Sequence, residues 1–301
     1  MLYSTSRQTP YSQWKISMDK DRPSTTANGA SFLRAAHQIL DEPRIYDDPI
    51  ALKIIGANGV KALTTNPDQF QTAELRSLRA FIVMRGRYAE DELAMAVKRG
   101  VGQYVILGAG LDSFAYRNPY AGTCLKVFEV DHPATQAWKR RRLQEEGIDI
   151  PGSLTFAPID FERQSLSEGL TRAGFRTDEP TFFSWLGVTV YLTKQAVIKT
   201  LAFVASTPTG SGIVFSFNSK PFSPKRAKQQ GREALADRLA GIGEPYLTYF
   251  DPICLKGILL QMGFTRVEYF SPDEANRLYF SGRTDGLRID DTSRHLMHAC
   301  V

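Results

Sequence analysis

The chain has 301 residues, of which 43% are hydrophobic, and its formal net charge is +5. That length and composition suit one large globular domain with additions and a sizeable core. Three widely spaced cysteines and four histidines form neither a Cys-x-x-Cys pair nor a His-Glu-x-x-His motif, which argues against a disulfide framework and a metal site and favours the cytoplasm.

The sequence offers little to nucleic acids or membranes. No apolar run is long enough to span a bilayer. The densest basic run, residues 139–142, is followed at once by Glu145 and Glu146. A nucleic-acid patch is one interpretation, but Arg141 and Glu145 have the spacing of an ion pair on a solvated helix face. We favour that face and expect neither a nucleic-acid nor a membrane partner.

Residues 1–23 are polar and lack the apolar core of a signal peptide, so they are predicted to form a flexible arm. Residues 24–301 are expected to form a single domain, which opens with a helical cap over 24–100. In that cap the pair Asp47-Asp48 precedes Pro49, which is typical of a helix start with an acidic N-cap. Paired carboxylates also serve acid–base chemistry, but capping is the favoured interpretation.

The cap is predicted to contain a helix over 30–40 and a long helix over 71–99 that ends at Gly100. The core, 101–301, then alternates short apolar strands with helices. This alternation predicts right-handed crossovers and a parallel sheet with helices on both faces. An insertion over 221–249, with a charged helix at 224–240, is a candidate lid. The predicted strands are 104–107, 125–130, 154–159, 181–185, 212–217, 265–269 and, as a terminal edge strand paired with its predecessor, 294–301.

The most informative stretch is the turn Gly108-Ala109-Gly110, which directly follows the first strand. A glycine turn after a buried strand places bare backbone where a nucleotide-like ligand can approach. The second strand closes on Glu129 and Asp131, and an acid about 20 residues past such a turn binds ribose in dinucleotide-type folds. The sequence therefore predicts a site for an adenosine-containing cofactor. The third glycine of Gly-x-Gly-x-x-Gly is replaced by Ser113, so a ligand-free tight turn is the alternative.

Four blocks resemble the leucine carboxyl methyltransferase-like family, most closely its bacterial S-adenosylmethionine-dependent branch. The resemblance extends over residues 24–301 and implies a class I methyltransferase fold, α/β and Rossmann-like with a seven-stranded sheet, and S-adenosyl-L-methionine as cofactor. The blocks are 102–113, which contains the glycine turn, 128–139, 185–193, and the segment Tyr46-Asp47-Asp48-Pro49.

The resemblance implies roles for the acids that follow the strands. Asp131 would bind the cofactor ribose, with Glu129 packing beside it, since residues two apart on a strand point the same way. Asp160 and Phe161, at the end of the third strand, would hold the adenine as a hydrogen-bond acceptor and an apolar plate.

The same resemblance implies contacts to the methionine part of the cofactor. The turn formed by Gly108, Ala109 and Gly110 would let the backbone approach it. Arg85 would pair with the methionine carboxylate, and Arg87 is the alternate candidate; a guanidinium donates two parallel hydrogen bonds to such a group. For either arginine, an ion pair with an acid on the same helix is the competing interpretation.

Two departures argue against transferring the family's protein-phosphatase substrate. The block at 185–187 lacks the expected glutamate, and Phe114 stands where many relatives have arginine. We therefore predict a cytoplasmic S-adenosyl-L-methionine-dependent O-methyltransferase that acts on a small-molecule hydroxyl or carboxylate. The oligomeric state, including a homodimer, is left open.

No general base, and hence no catalytic residue, can be assigned. The histidines at 132, 295 and 298 read as structural, and Trp185 and Tyr191 could either contact the sulfonium by cation–π interaction or pack in the core. A non-catalytic cofactor-binding protein is therefore one alternative. A nicotinamide-dependent oxidoreductase is another, but it predicts a third glycine and a catalytic Tyr-x-x-x-Lys or a placed His. The turn has Ser113 in place of that glycine, and residues 101–301 contain no Tyr-x-x-x-Lys.

Overall fold

The computed structural model describes residues 25–220 and 245–301, so the predicted arm and the predicted charged helix at 224–240 lie outside the described residues. The strands form one seven-stranded sheet of order β3-β2-β1-β4-β5-β7-β6, which confirms the predicted sheet. The strands are β1 Gln103–Leu107, β2 Lys126–Asp131, β3 Leu154–Pro158, β4 Thr181–Trp185, β5 Gly212–Asn218, β6 Arg266–Phe270 and β7 Arg294–Cys300.

The first five strands pair in parallel, whereas β7 is antiparallel to both β5 and β6. The prediction that the last strand lies at the edge of the sheet is wrong, because β7 lies between β5 and β6, and β6 is the edge. Burial explains the difference. All five central residues of β7, His295 to Ala299, are buried, as expected for a strand with neighbours on both sides, whereas β6 alternates with exposed residues.

Helices cover both faces of the sheet. The cap consists of α1 Thr25–Leu40, α2 Pro49–Thr65 and α3 Ala73–Lys98, and α3 packs on the face that presents Tyr104 and Ile106 of β1. The opposite face, with Val105 and Leu107, is covered by three helices. The remaining helices are α4 Pro133–Glu145, α5 Leu166–Arg172, α6 Lys194–Ala205, α7 Pro252–Gln261 and α8 Pro272–Ala275, of which α5, α6 and α7 form that second cover.

Local signals place most helix ends. Asp48 is the N-cap of α2, as predicted, and its carboxylate accepts a hydrogen bond from the Ala51 amide. The helix after β3 begins at Leu166, because the Ser165 hydroxyl caps it. A single 3-10 turn, Phe114–Tyr116, follows the glycine turn. Within residues 25–220 and 245–301, no helix combines the length and apolarity needed to cross a bilayer.

Candidate functional site

The candidate site lies at the carboxyl ends of β1, β2, β3 and β4. The strand order reverses between β1 and β4, because β2 follows β1 on one side and β4 flanks it on the other. In open α/β sheets, ligands bind in the crevice that opens at such a reversal. The glycine turn follows β1, Glu129 and Asp131 lie at the end of β2, and Asp160 follows β3.

The glycine turn has a backbone that only glycine adopts freely. Gly108 has φ +63° and Gly110 has φ +47°. A Cβ on Gly108 would lie 2.4 Å from Val188, and one on Gly110 would lie 3.0 Å from Ala27 of α1. Packing of the protein itself therefore requires both glycines. Between them, the amide of Ala109 donates to the Val130 carbonyl and ties the turn to β2.

Asp131 faces this turn directly. One carboxylate oxygen accepts a hydrogen bond from the Gly110 amide and the other from the His132 amide at 2.7 Å. Burial raises the pKa of Asp131, and these two amides oppose that effect. A carboxylate accepts about four hydrogen bonds, and the side chain is only partly buried, so it retains capacity for a ribose diol.

Glu129, two residues earlier, is completely buried and leaves no surface to a ligand. Its carboxylate lies 2.6 Å from the ammonium group of Lys139, which also donates to the Asp112 carbonyl at 2.8 Å. Burial raises the pKa of Glu129 to about 7 although Lys139 opposes it. Glu129 therefore lies behind Asp131, and its partner Lys139 links β2, α4 and the loop after the glycine turn.

The basic run is therefore not a uniformly solvated face, because Lys139 is 1% exposed. The ion pair expected between Arg141 and Glu145 also involves a different arginine. Arg142 pairs with Glu145 at 3.4 Å and with Glu146 at 3.0 Å. Arg142 also reaches another element, because its Nε donates to the Ile54 carbonyl at 2.9 Å.

Asp160 lies next to Asp131 because the Ile159 amide donates to the Asp131 carbonyl at 2.8 Å. One oxygen of the Asp160 carboxylate accepts from the Glu162 amide at 3.0 Å, and the side chain stays 24% exposed. Phe161 packs against Trp185 with ring centroids 6.0 Å apart. Asp160 and Phe161 thus present a hydrogen-bond acceptor and an apolar ring at the end of β3.

Arg85 of α3 reaches the same edge and differs sharply from Arg87. Arg87 pairs with Asp91 at 2.8 Å and donates to the Ile45 carbonyl. It therefore forms the ion pair on its own helix that was the alternative to cofactor binding. No hydrogen-bond acceptor for Arg85 is found among residues 25–220 and 245–301. Burial lowers the pKa of Arg85 to about 10. Gly187 has φ +79°, and a Cβ there would lie 2.7 Å from the Arg85 guanidinium, so this glycine leaves room for Arg85.

The remaining candidates have structural roles in the described chain. Trp185 is fully buried in the core, which is the packing alternative. The imidazole of His132 caps α4 by accepting from the Ala134 amide. His295 lies between the hydroxyls of Tyr269 and Ser219, both at 2.8 Å. Burial lowers the pKa of His298 to about 4. None of these side chains is placed at the carboxyl end of β1.

Comparison with known proteins decides the family. The sequence model of the leucine carboxyl methyltransferases matches residues 27–205. The chain belongs to the leucine carboxyl methyltransferase family. A relative from Bacillus subtilis, "Putative S-adenosyl-L-methionine-dependent methyltransferase YktD", is 34% identical over 94% of this chain and 99% of its own length. A relative of the same description from Mycolicibacterium smegmatis is 30% identical over 76% of this chain and 79% of its own length.

Solved structures show the same fold. A "putative methyltransferase" from Thermobifida fusca superposes with a TM-score of 0.54 and 15% identity, covering 94% of this chain and 96% of its own. A DUF574 family protein from Streptomyces avermitilis gives a TM-score of 0.53 and 12% identity, covering 90% and 96%. Family and fold together make this protein an S-adenosyl-L-methionine-dependent methyltransferase, so the oxidoreductase and non-catalytic alternatives are set aside.

Two residues of the site lay beyond sequence reasoning. Arg34 of α1 donates to the Leu111 carbonyl, 77 positions later in the chain, and no local pattern links the two. Gly187 lies within the family block at 185–193, but its approach to Arg85 depends on how α3 packs against the loop after β4.

Proposed function

We propose that this family member transfers a methyl group to an oxygen of a small-molecule hydroxyl or carboxylate. The observation that carries the cofactor part of the proposal is Arg85, a partly buried guanidinium with no acceptor in the described chain, next to Gly187. Removing a cation from water without a partner is costly, and a methionine carboxylate supplies the missing partner through two parallel hydrogen bonds.

The rest of the proposed cofactor site follows the edge of the sheet. The Asp131 carboxylate accepts from the ribose, and the Asp160 carboxylate accepts from the adenine amino group while the Phe161 ring covers the base. Gly108, Ala109 and Gly110 keep the backbone close beneath the methionine part. Glu129 stays behind Asp131 and holds Lys139.

The bound cofactor supplies an electrophilic methyl group on a sulfonium, whose departure leaves a neutral thioether. The protein's residues then have three tasks, which are to fix the cofactor, to align the acceptor oxygen and to exclude water. An acceptor that arrives as an anion needs no general base. The histidines are consistent with such an acceptor, because each already contacts other groups. His132 caps α4 and lies 4.0 Å from Asp160, His295 hydrogen-bonds Ser219, and His298 lies 3.3 Å from Glu92.

We further propose a cytoplasmic location, since Cys124, Cys254 and Cys300 are all free thiols. The acceptor oxygen is tested by incubating the full chain with methyl-labelled S-adenosyl-L-methionine and a panel of phenols, alcohols, carboxylic acids, amines and thiols. Label should appear in methyl ethers or methyl esters. Label confined to N-methyl or S-methyl products would overturn the O-methyl assignment while leaving the cofactor site intact.

A further inference from the structure

A second guanidinium lies at the cofactor edge of the sheet, on Arg294. This residue opens β7 and pairs with Asn218 at the carboxyl end of β5. Its Nε donates to an Asp291 oxygen at 2.9 Å, and the Tyr246 hydroxyl hydrogen-bonds the guanidinium. The Arg294 side chain is 12% exposed. One edge of its five-donor fork is thus bound to a carboxylate, which leaves further N–H groups for a ligand.

Arg294 and Arg85 share one aromatic ring. Their guanidinium carbons lie 6.0 Å and 5.8 Å, respectively, from the ring centroid of Phe81 on α3. The two cations are close enough that Arg294 contributes to lowering the pKa of Arg85. Tyr246 packs against Tyr191, with ring centroids 5.6 Å apart. Both tyrosines act to raise the pKa of Arg85, against the larger effect of burial. Both cations therefore lie against the Phe81 ring, next to the proposed methionine-carboxylate site.

The charges near Arg85 and Arg294 indicate what kind of group binds there. The carboxylate of Asp291 balances Arg294, whereas Arg85 has no counter-ion in the described chain. S-adenosyl-L-methionine carries a sulfonium, an ammonium and one carboxylate, so binding it adds net positive charge to a region that already has an excess. A positive site of low polarity stabilises an anion and favours ionisation of an acidic hydroxyl.

We propose that Arg294 binds an acidic oxygen group of the methyl acceptor, a carboxylate or an ionised phenol, next to the methionine end of the cofactor. This inference rests on the proposed function. The acceptor oxygen forms the new bond to the methyl carbon as the carbon–sulfur bond breaks, and that bond's electron pair stays on sulfur. Negative charge on oxygen and positive charge on sulfur disappear together, and no proton has to be removed in the step.

A substitution of Asp291 should change anion binding in the direction opposite to a substitution of Arg294. Its carboxylate is held by the Ser293 amide at 3.0 Å and the Ser293 hydroxyl at 2.7 Å, and it competes with an acceptor for Arg294. Asp291→Asn keeps the shape and removes the charge, so it should strengthen anion binding. Arg294→Gln should weaken it. A purely structural role for this pair would make both substitutions act in the same direction.

The experiment uses calorimetry on the full chain saturated with S-adenosylhomocysteine, with benzoate as the anionic probe and benzamide as its neutral isostere. Wild type should bind benzoate more tightly than benzamide. Arg294→Gln should raise the benzoate dissociation constant about tenfold, Arg294→Lys should restore part of it, and Asp291→Asn should lower it. Arg266→Gln is the matched control, since Arg266 also pairs with a carboxylate but is 62% exposed on β6.

The outcomes separate the two proposals. If S-adenosylhomocysteine binds but benzoate binds wild type no better than benzamide, or binds Arg294→Gln as well as wild type, the Arg294 assignment is overturned and the proposed function stands. If S-adenosylhomocysteine does not bind wild type, the proposed function itself fails. Should Arg294→Gln not fold, the opposed shifts expected of Arg294→Lys and Asp291→Asn decide the question.

Discussion

The guanidinium of Arg34 in α1 donates a hydrogen bond of 2.5 Å to the backbone carbonyl of Leu111, directly after the glycine turn. The same side chain pairs with Asp48 at 2.7 Å, and Asp48 is fully buried as the N-cap of α2. Ala27, also on α1, lies where a Cβ on Gly110 would be. The helical cap is therefore fastened to the turn proposed to hold the cofactor, which gives the Asp48-Pro49 motif a role beyond capping.

Arg34→Gln should weaken S-adenosylhomocysteine binding about tenfold and lower the free energy of unfolding by about 3 kcal/mol, because it leaves the buried Asp48 carboxylate without its closest cation. Calorimetry and urea unfolding measure the two effects. Arg44→Gln is the control, since Arg44 is 46% exposed and 3.7 Å from Asp47, and it should change stability by less than about 0.5 kcal/mol. Equal effects of the two substitutions would contradict the role of Arg34 in fastening α1 to the glycine turn.

Arg85→Gln should weaken S-adenosylhomocysteine binding roughly 10- to 100-fold, the range expected for losing a hydrogen bond between charged groups. Binding of 5′-methylthioadenosine, which lacks the amino-acid part, should stay unchanged. Arg87→Gln is the matched control on the same helix, and it should affect neither ligand because Arg87 already pairs with Asp91. A loss of both ligands in Arg85→Gln would point to general damage instead of carboxylate recognition.

Asp131→Asn should weaken S-adenosylhomocysteine binding at least about tenfold, since the amide cannot accept from Gly110, His132 and a ribose at once. Glu129→Gln, two residues away on the same strand, should leave the dissociation constant of the folded protein within about threefold. It should instead destabilise the fold by about 1 to 3 kcal/mol, because the amide replaces the carboxyl oxygen that lies next to the Lys139 ammonium. The reverse pattern would transfer the ribose role to Glu129.

Glu129 should also make stability depend on pH. The unfolded chain releases this proton near the ordinary pKa of 4.5, whereas the folded protein keeps it until about 7. The folded state thus binds more protons in that window, and its stability falls as pH rises through it, by about 3 kcal/mol at most. Urea unfolding between about pH 5 and about pH 7.5 measures this. The difference in stability between wild type and Glu129→Gln should shrink as pH rises; a constant difference would reject the raised pKa.

Much of the fold is visible in the sequence because its central strands are buried on both faces. β1, β4 and β5 are mainly apolar in sequence and buried at every residue, and their bounds differ from the predicted ones by at most one residue at each end. The position of β7 was not predictable in this way, since the order of an antiparallel pair within a sheet depends on tertiary packing.

Site residues that lie at the end of a strand could be predicted from the sequence. Site residues that distant elements bring to the same edge could not. Asp131 and the glycine turn lie close because parallel strands end at one edge, and the sequence shows both. Lys139 looked solvated because its neighbours are basic, yet it packs beneath the turn. Arg34 and Arg294 are brought to the site by α1 and β7, at separations over which no local pattern operates.

The central claim is that the edge formed by β1, β2 and β3, completed by Arg85, binds an adenosyl methionine cofactor. Calorimetric titration of the full wild-type chain with S-adenosylhomocysteine, alongside NAD, tests it most directly. We expect saturable binding of S-adenosylhomocysteine at one site per chain, weakened by both Arg85→Gln and Asp131→Asn, with no binding of NAD. Binding of NAD in its place, or S-adenosylhomocysteine affinity that neither substitution changes, would contradict it.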